Sequence, residues 1–293
     1  GALENYVAGR PFARALINPD DPVSGLKAAW NFNYRWQYYG MNVKRYLGAL
    51  LAKGGKASKL SGFPADLIQG GGRAIRHLVA LYQRVYHNHL AHLSTKGHIF
   101  PLGDAGRFEY KDYVEFTEPY DVRGQRFLIY RYDDARKQDD AWGFIPALRK
   151  VRRLSLHERD DSIGGTEMTF DDFTGFSGRV LDHTWKFLGW KVLLHVMNSQ
   201  HPYARFYGPN GWLPNDRWEL RLCAVVEQTP VTNRNYSSKI YFWDAETYET
   251  AMVLVFDLEG KLWKVNDLLH GWSEDPSQAE SDRGKQLPRN IGF

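Results

Sequence analysis

The residues best placed to do chemistry are the adjacent carboxylates Asp171 and Asp172, in TFDDFTGFSG (169–178). Paired carboxylates can exchange protons or hold a cation. Neighbours on a strand point to opposite faces, so adjacency alone does not make a dyad. The plainer expectation is turn-forming or ion-paired aspartates, with Phe170, Phe173 and Phe176 packing the core or a cavity wall. A second cluster is HNHLAH (87–92), which holds His87, His89 and His92, with His77 before it and His98 after it. A helical zinc pair needs histidines four apart, as in HExxH, and this spacing differs. Surface or packed histidines are expected, and no metal site. Glycines 70–72 in LIQGGGRAIRHL lack the GxxxxGK[ST] spacing of a phosphate loop and read as a hinge. GxSxG does not occur, and the single cysteine, Cys223, lies in the apolar stretch LRLCAVVE, where a buried thiol is inert. His183 and His195 read as packing residues. No catalytic residue and no cofactor is assigned.

The remaining charged feature is DAWGFIPALRKVRRLS (140–155), where Arg149, Lys150, Arg152 and Arg153 crowd into five residues. Asp133, Asp134, Asp139, Asp140, Glu158, Asp160 and Asp161 flank it. Cross-strand pairing would neutralise the cations. Any left unpaired could meet an acidic headgroup or an acidic partner protein. Nucleic acid is not expected, because net charge is only +4 and phosphate contacts need concentrated, unpaired cations.

These residues need elements to position them. The chain has 293 residues, 43% hydrophobic and 15% aromatic, which is ample for a packed core. No apolar run is long enough to cross a membrane as a helix. The start, GALENYVAGRPF, has no secretory leader, so either a signal was removed or the sequence is a fragment. AAWNFNYRWQYYG (28–40) could be strand or helix, and NVKRYLGALLAKGG reads as partly helical. Residues 65–93 read as the clearest helix, with Ile75, Leu78, Val79, Tyr82, Val85, Tyr86, His89 and Leu90 at steps of three and four. Its regular part starts near Arg73. From Arg107 the period becomes two, giving about ten strands with no long helix between them. That pattern predicts an antiparallel meander. LEGKLW reads as a hairpin turn, and Pro146 as a bend. Residues 1–105 are expected to supply an irregular segment and lid helices, 106–273 an antiparallel half-barrel in the same domain, and 274–293 a polar tail.

LIYRYDDARKQDDAWGFIPALRKVRR (128–153) and SIGGTEMTFDDFTGF (162–176) resemble a bacterial family of unknown function grouped with the periplasmic lipoprotein carriers LolA and LolB. GRPF (9–12), GLKAAWNFNYR (25–35), RWEL (217–220) and KLWKV (261–265) match in the same order. The resemblance implies a mainly β (α+β) fold: a strongly curved antiparallel sheet, an unclosed half-barrel with helices on its concave side. It also implies a periplasmic, Gram-negative location, outer-membrane association, and carriage of a lipid or other hydrophobic cargo without catalysis.

On that fold, Phe127, Ile129, Trp142, Phe144, Phe170, Phe173, Trp185, Trp218 and Leu220 are expected to face inward and line a hydrophobic cavity. The ordinary alternative is a sealed core, since alternation cannot separate the two. Arg149, Lys150, Arg152 and Arg153 are the candidate partner contacts. The competing reading is a non-carrier adaptor docking on an RND-type transporter or an outer-membrane protein. A third is a lipid hydrolase using Asp171 or Asp172.

Overall fold

The fold is described from a computed structural model, covering residues 6–36, 39–56, 64–91, 107–154, 161–163, 165–232, 234–273 and 287–292. Six strands form a first antiparallel sheet in sequence order: β1 (Gly40–Lys56), β2 (Gly71–Tyr86), β3 (Phe108–Glu118), β4 (Arg126–Tyr132), β5 (Asp140–Ile145) and β6 (Lys150–Arg153). A second sheet contains β7 (His183–His195), β10 (Glu219–Pro230), β11 (Ser238–Asp244), β12 (Thr250–Phe256) and β13 (Leu262–Asp267), ordered β13-β12-β11-β10-β7. Two small ribbons complete it: β8 (Phe206–Tyr207) with β9 (Leu213–Pro214), and β14 (Leu269–Ser273) with β15 (Leu287–Gly292). The period-two reading after Arg107 and the turn in LEGKLW are thus found, the latter with Gly260 at φ +76°.

Three sequence expectations are corrected. The regular part of the segment read as a helix over 65–93 is strand β2, and the stretch 42–55, read as partly helical, lies in β1. β1 and β2 pair along most of their length, and β2 also pairs with β3. Its residues suit a strand, being rich in β-branched and aromatic types. The helical count arose because the inner row of β2 is Leu78, Ala80, Tyr82, Arg84 and Tyr86. A charged residue in that row hides the period of two. EMTFDDF is not a strand but leads into a short 3-10 turn, Phe170–Asp172. The ambiguous aromatic stretch resolves as helix over its first part: α1 spans Ser24–Asn33 and is the one α-helix among the described residues. Of the polar tail, only Leu287–Gly292 is described, as a strand.

The concave side is therefore filled mostly by non-helical chain. Residues 165–182, between β6 and β7, form a plug that touches the inner faces of both sheets. Phe173 stacks on Tyr82 and Phe170 packs edge-on to Phe127, both in the first sheet. Phe176 packs against Trp185 and Tyr241 in the second. The plug is held by its own chemistry. Thr169 and Asp172 form a reciprocal capping box, and Lys239 Nζ donates to Asp172 at 2.8 Å in a fully buried pair. Asp171 and Asp172 are both buried structural residues of this turn.

Helix α1 covers the second sheet. Its approach is set by Gly25, where a Cβ would lie 2.4 Å from the Trp185 backbone carbonyl. Phe32 stacks on Trp243, with ring centroids 4.9 Å apart.

Candidate functional site

Two features could hold a hydrophobic molecule: the interior between the sheets and the open faces beside it. The interior is packed. Phe127, Phe170 and Phe173 gather with Tyr82, Val114 and Phe116 in one apolar cluster. Deeper in, three guanidiniums are buried. Arg84 pairs with Asp112 directly across β2 and β3 through bonds of 2.6 Å from Nε and Nη2. Arg131 pairs with Asp139 at 2.7 Å and also donates to the Ser177 and Gly178 carbonyls of the plug. Arg35 lies 3.1 Å from Glu249. Beside them Asn33 donates to Glu109 at 2.9 Å. Burial pushes the Glu109 carboxyl up, against the opposing pull of Arg131 and His89.

The cavity among Arg35, Arg84, Glu109, Arg131 and Ser177 has a volume of about 20 Å³. A second, between the plug and the second sheet near Lys239 and Trp263, has the same volume, about 20 Å³. Each has room for about one water molecule and none for an acyl chain. These two cavities are thus smaller than the expected acyl-sized one.

Of the residues expected to line such a cavity, only some are brought together. Phe127, Ile129, Phe170 and Phe173 are on or against the inner face of the first sheet. Trp142 and Phe144 are on its other face, a correction to the inward reading. Trp142 pairs with Leu128, whereas the inner residue Phe127 pairs with Gly143. Tyr130 packs edge-on to Trp142, and Arg126 lies over Phe144. Trp185 is sealed in the second sheet's core. Trp218 packs with Val196, Ala204, Phe206 and Leu269 in a separate cluster.

Leu220 has a different setting. It is on the inner face of the second sheet, paired with Leu194, and the next inner pair is Leu222 with Val192. One step further, Ala224 pairs with Trp190, where the covered core begins. Beyond that point the face is open: Leu220 is 73% exposed, Val192 64% and Leu194 54%. Leu16, also exposed, stands on the N-terminal segment whose Ile17 carbonyl accepts from Trp190 Nε1. The result is an apolar shelf, continuous with the core, on edge strand β7 and its neighbour β10. Sequence alternation marked Leu220 but not its partners, because cross-strand register is not written in a single strand.

The other chemistry-bearing residues have structural roles. His87 packs edge-on to Phe108, His89 donates through Nδ1 to the Val7 carbonyl and pairs through Nε2 with Asp133, and His77 faces Glu118. His92 and His98 lie outside the described residues. Burial holds His183 and His195 down to about 4, and lifts the Cys223 thiol to about 12. Among the described residues no three His, Cys, Asp or Glu side chains are placed to share a metal. No described helix is long and apolar enough to cross a membrane. Of the four cations near β6, Arg153 pairs with Asp140, as the acidic surroundings predict. Arg149, Lys150 and Arg152 are exposed, with no acidic partner among the described residues.

Residues 78–279 match the family described as "Protein of unknown function (DUF1329)", over two thirds of the chain. The chain belongs to the DUF1329 family. A DUF1329 family protein from Desulfovibrio piger has a similar fold, with 16% identity and a TM-score of 0.52, covering 84% of this chain and 78% of that one. A protein described as an outer membrane lipoprotein-sorting domain, from Vibrio parahaemolyticus, matches with 16% identity and a TM-score of 0.50, over 92% of this chain and 83% of its own. A LolA superfamily protein from Nitrosomonas europaea aligns at 14% identity over 92% of this chain and 85% of that one, with a TM-score of 0.42. No curated protein matches the sequence. The likeness to the Desulfovibrio and Vibrio structures shows that this DUF1329 protein shares their fold.

Proposed function

We propose that this DUF1329 protein is a non-enzymatic carrier in the Gram-negative periplasm for a lipid or other hydrophobic cargo. The observation that carries the reading is the apolar shelf of Val192, Leu194, Leu220 and Leu222, an open continuation of the core-facing side of the second sheet. A sheet face that continues a core yet lacks a covering layer leaves apolar surface to be met by another apolar body. Each buried methylene contributes about 0.8 kcal/mol. An acyl chain of about twelve carbons lying along the shelf, with one side still wet, would gain roughly half of its full transfer energy, ~5 kcal/mol, before ordering costs. The fold shared with the Vibrio lipoprotein-sorting domain supports the same class of cargo.

The test is titration of a fluorescent fatty-acid analogue against the wild type and Leu220→Glu. A carboxylate at this exposed position should leave folding intact and weaken binding about tenfold or more, by loss of apolar contact and by desolvation of the charge. Equal binding by the two proteins would remove the shelf from the reading.

The packed interior, with its two small cavities, favours a second reading, in which the protein is an adaptor that encloses nothing and docks on an envelope transporter or outer-membrane protein. It predicts no bound probe in either protein, and association with a membrane-protein partner that Leu220→Glu leaves unchanged.

A further inference from the structure

One end of the first sheet carries a second surface, built from two turns. The β3–β4 turn presents Tyr120, 87% exposed, and Arg123. The β5–β6 turn presents Leu148 and Arg149, and β6 continues it with Lys150, Val151 and Arg152, all exposed. The turns are adjacent: a Cβ on Gly124 would lie 3.2 Å from Pro146 Cγ. Neighbouring acids are already engaged, Asp121 with Arg76 at 2.6 Å and Glu118 with His77 at 3.4 Å. Arg123 donates only to the Thr117 carbonyl, and Arg149, Lys150 and Arg152 have no acidic partner among the described residues. Four cations, an exposed tyrosine, a leucine and a valine thus share two adjacent turns and the edge strand that follows them.

Charges on an edge strand guard against edge-to-edge pairing, which accounts for part of β6. It does not account for Arg123, Tyr120 or Leu148, which lie in turns. We infer that this end of the first sheet docks on an anionic lipid surface. Basic side chains meet the headgroups, while Tyr120 and Leu148 enter the interfacial layer, where amphipathic and aliphatic groups are favoured. Charge complementarity selects this occupant, because an apolar partner would leave the four cations desolvated and unpaired.

The inference is independent of the cargo proposal. The test is sedimentation of the full chain with vesicles of phosphatidylcholine alone or mixed with phosphatidylglycerol. The wild type should pellet with the mixed vesicles and not with the neutral ones, and salt should release it. The triple variant Arg149→Gln/Lys150→Gln/Arg152→Gln should lose about five-fold in partitioning per charge, roughly a hundredfold in all. Tyr120→Ser should weaken binding with little change in salt dependence. Leu220→Glu, on the shelf, should pellet as the wild type does, whatever the fate of the cargo reading. Circular dichroism checks that each variant is folded. Binding equally to both vesicle types, binding to neither, or a triple variant that binds like the wild type would overturn the inference. So would capture of polyglutamate through these cations without vesicle binding, which would assign the surface to an acidic protein.

Discussion

Replacing Asp112 by leucine should be among the most damaging single changes in the protein, and replacing Arg84 as well should undo most of that damage. The pair joins β2 to β3 in register, with two bonds of 2.6 Å and side-chain exposures of 4% and 8%. Arg84 also stacks over Tyr110 and donates to Ser177 of the plug at 3.1 Å. Asp112→Leu leaves a buried guanidinium with no counter-charge, at a cost of about 3–5 kcal/mol. That is a large share of a typical stability of about 5–15 kcal/mol. In Arg84→Met/Asp112→Leu no buried charge is stranded. Its loss should be limited to the Ser177 and stacking contacts, about 1–2 kcal/mol. Urea unfolding followed by tryptophan fluorescence, on the wild type, both single variants and the double, gives the coupling energy. We expect about 3 kcal/mol or more. Additive losses, or a single variant within about 1 kcal/mol of wild type, would refute the claim that a desolvated ion pair fixes the plug-facing side of the first sheet.

Four further outcomes follow from buried groups and close contacts. His183 and His195 are held down to about 4 from an ordinary 6.5, so the fold favours their neutral forms. Their contribution is intact above pH 6.5 and lost as pH falls from 6.5 towards 4, by about 3 kcal/mol each; urea midpoints that stay level across this range would contradict it. His89 has the opposite sign: Asp133 outweighs burial and raises its pKa, so its contribution is lost as pH rises through that raised value. Gly25→Ala places a methyl 2.4 Å from the Trp185 carbonyl and should cost about 1–3 kcal/mol by pushing α1 off β7, read as a drop in melting temperature. Cys223, buried and with its thiol lifted to about 12, should resist an aromatic disulfide reagent until urea is added; prompt reaction in the native state would show an open strand.

The sequence discloses the second sheet more fully than the first, for a physical reason. In β10 to β12 the inner rows are mostly apolar, with Gln228 and Lys239 near one end, so alternation survives in the text. In β2 the inner row includes Arg84, whose partner Asp112 is 28 residues away, and a reading by hydrophobicity alone loses the period there. Trp142 and Phe144 alternate correctly but belong to the outer face, because alternation says which residues share a face and not which face is covered. The plug is legible as TFDDFTGFSG, yet its function as filler depends on contacts with two distant sheets. Leu220 was visible, whereas the shelf became visible only with the register that places Leu194, Leu222 and Val192 beside it. The cations at 149–153 were expected to be neutralised, and only Arg153 is paired among the described residues.

The measurement that tests the carrier proposal most directly is identification of what the protein holds when taken gently from its native envelope. Organic extraction and mass spectrometry of the wild type and Leu220→Glu, prepared in parallel, would decide it. The carrier account predicts one lipid class near one molecule per chain in the wild type and much less in the variant. A folded wild type that yields no lipid, or equal lipid in both, would contradict it.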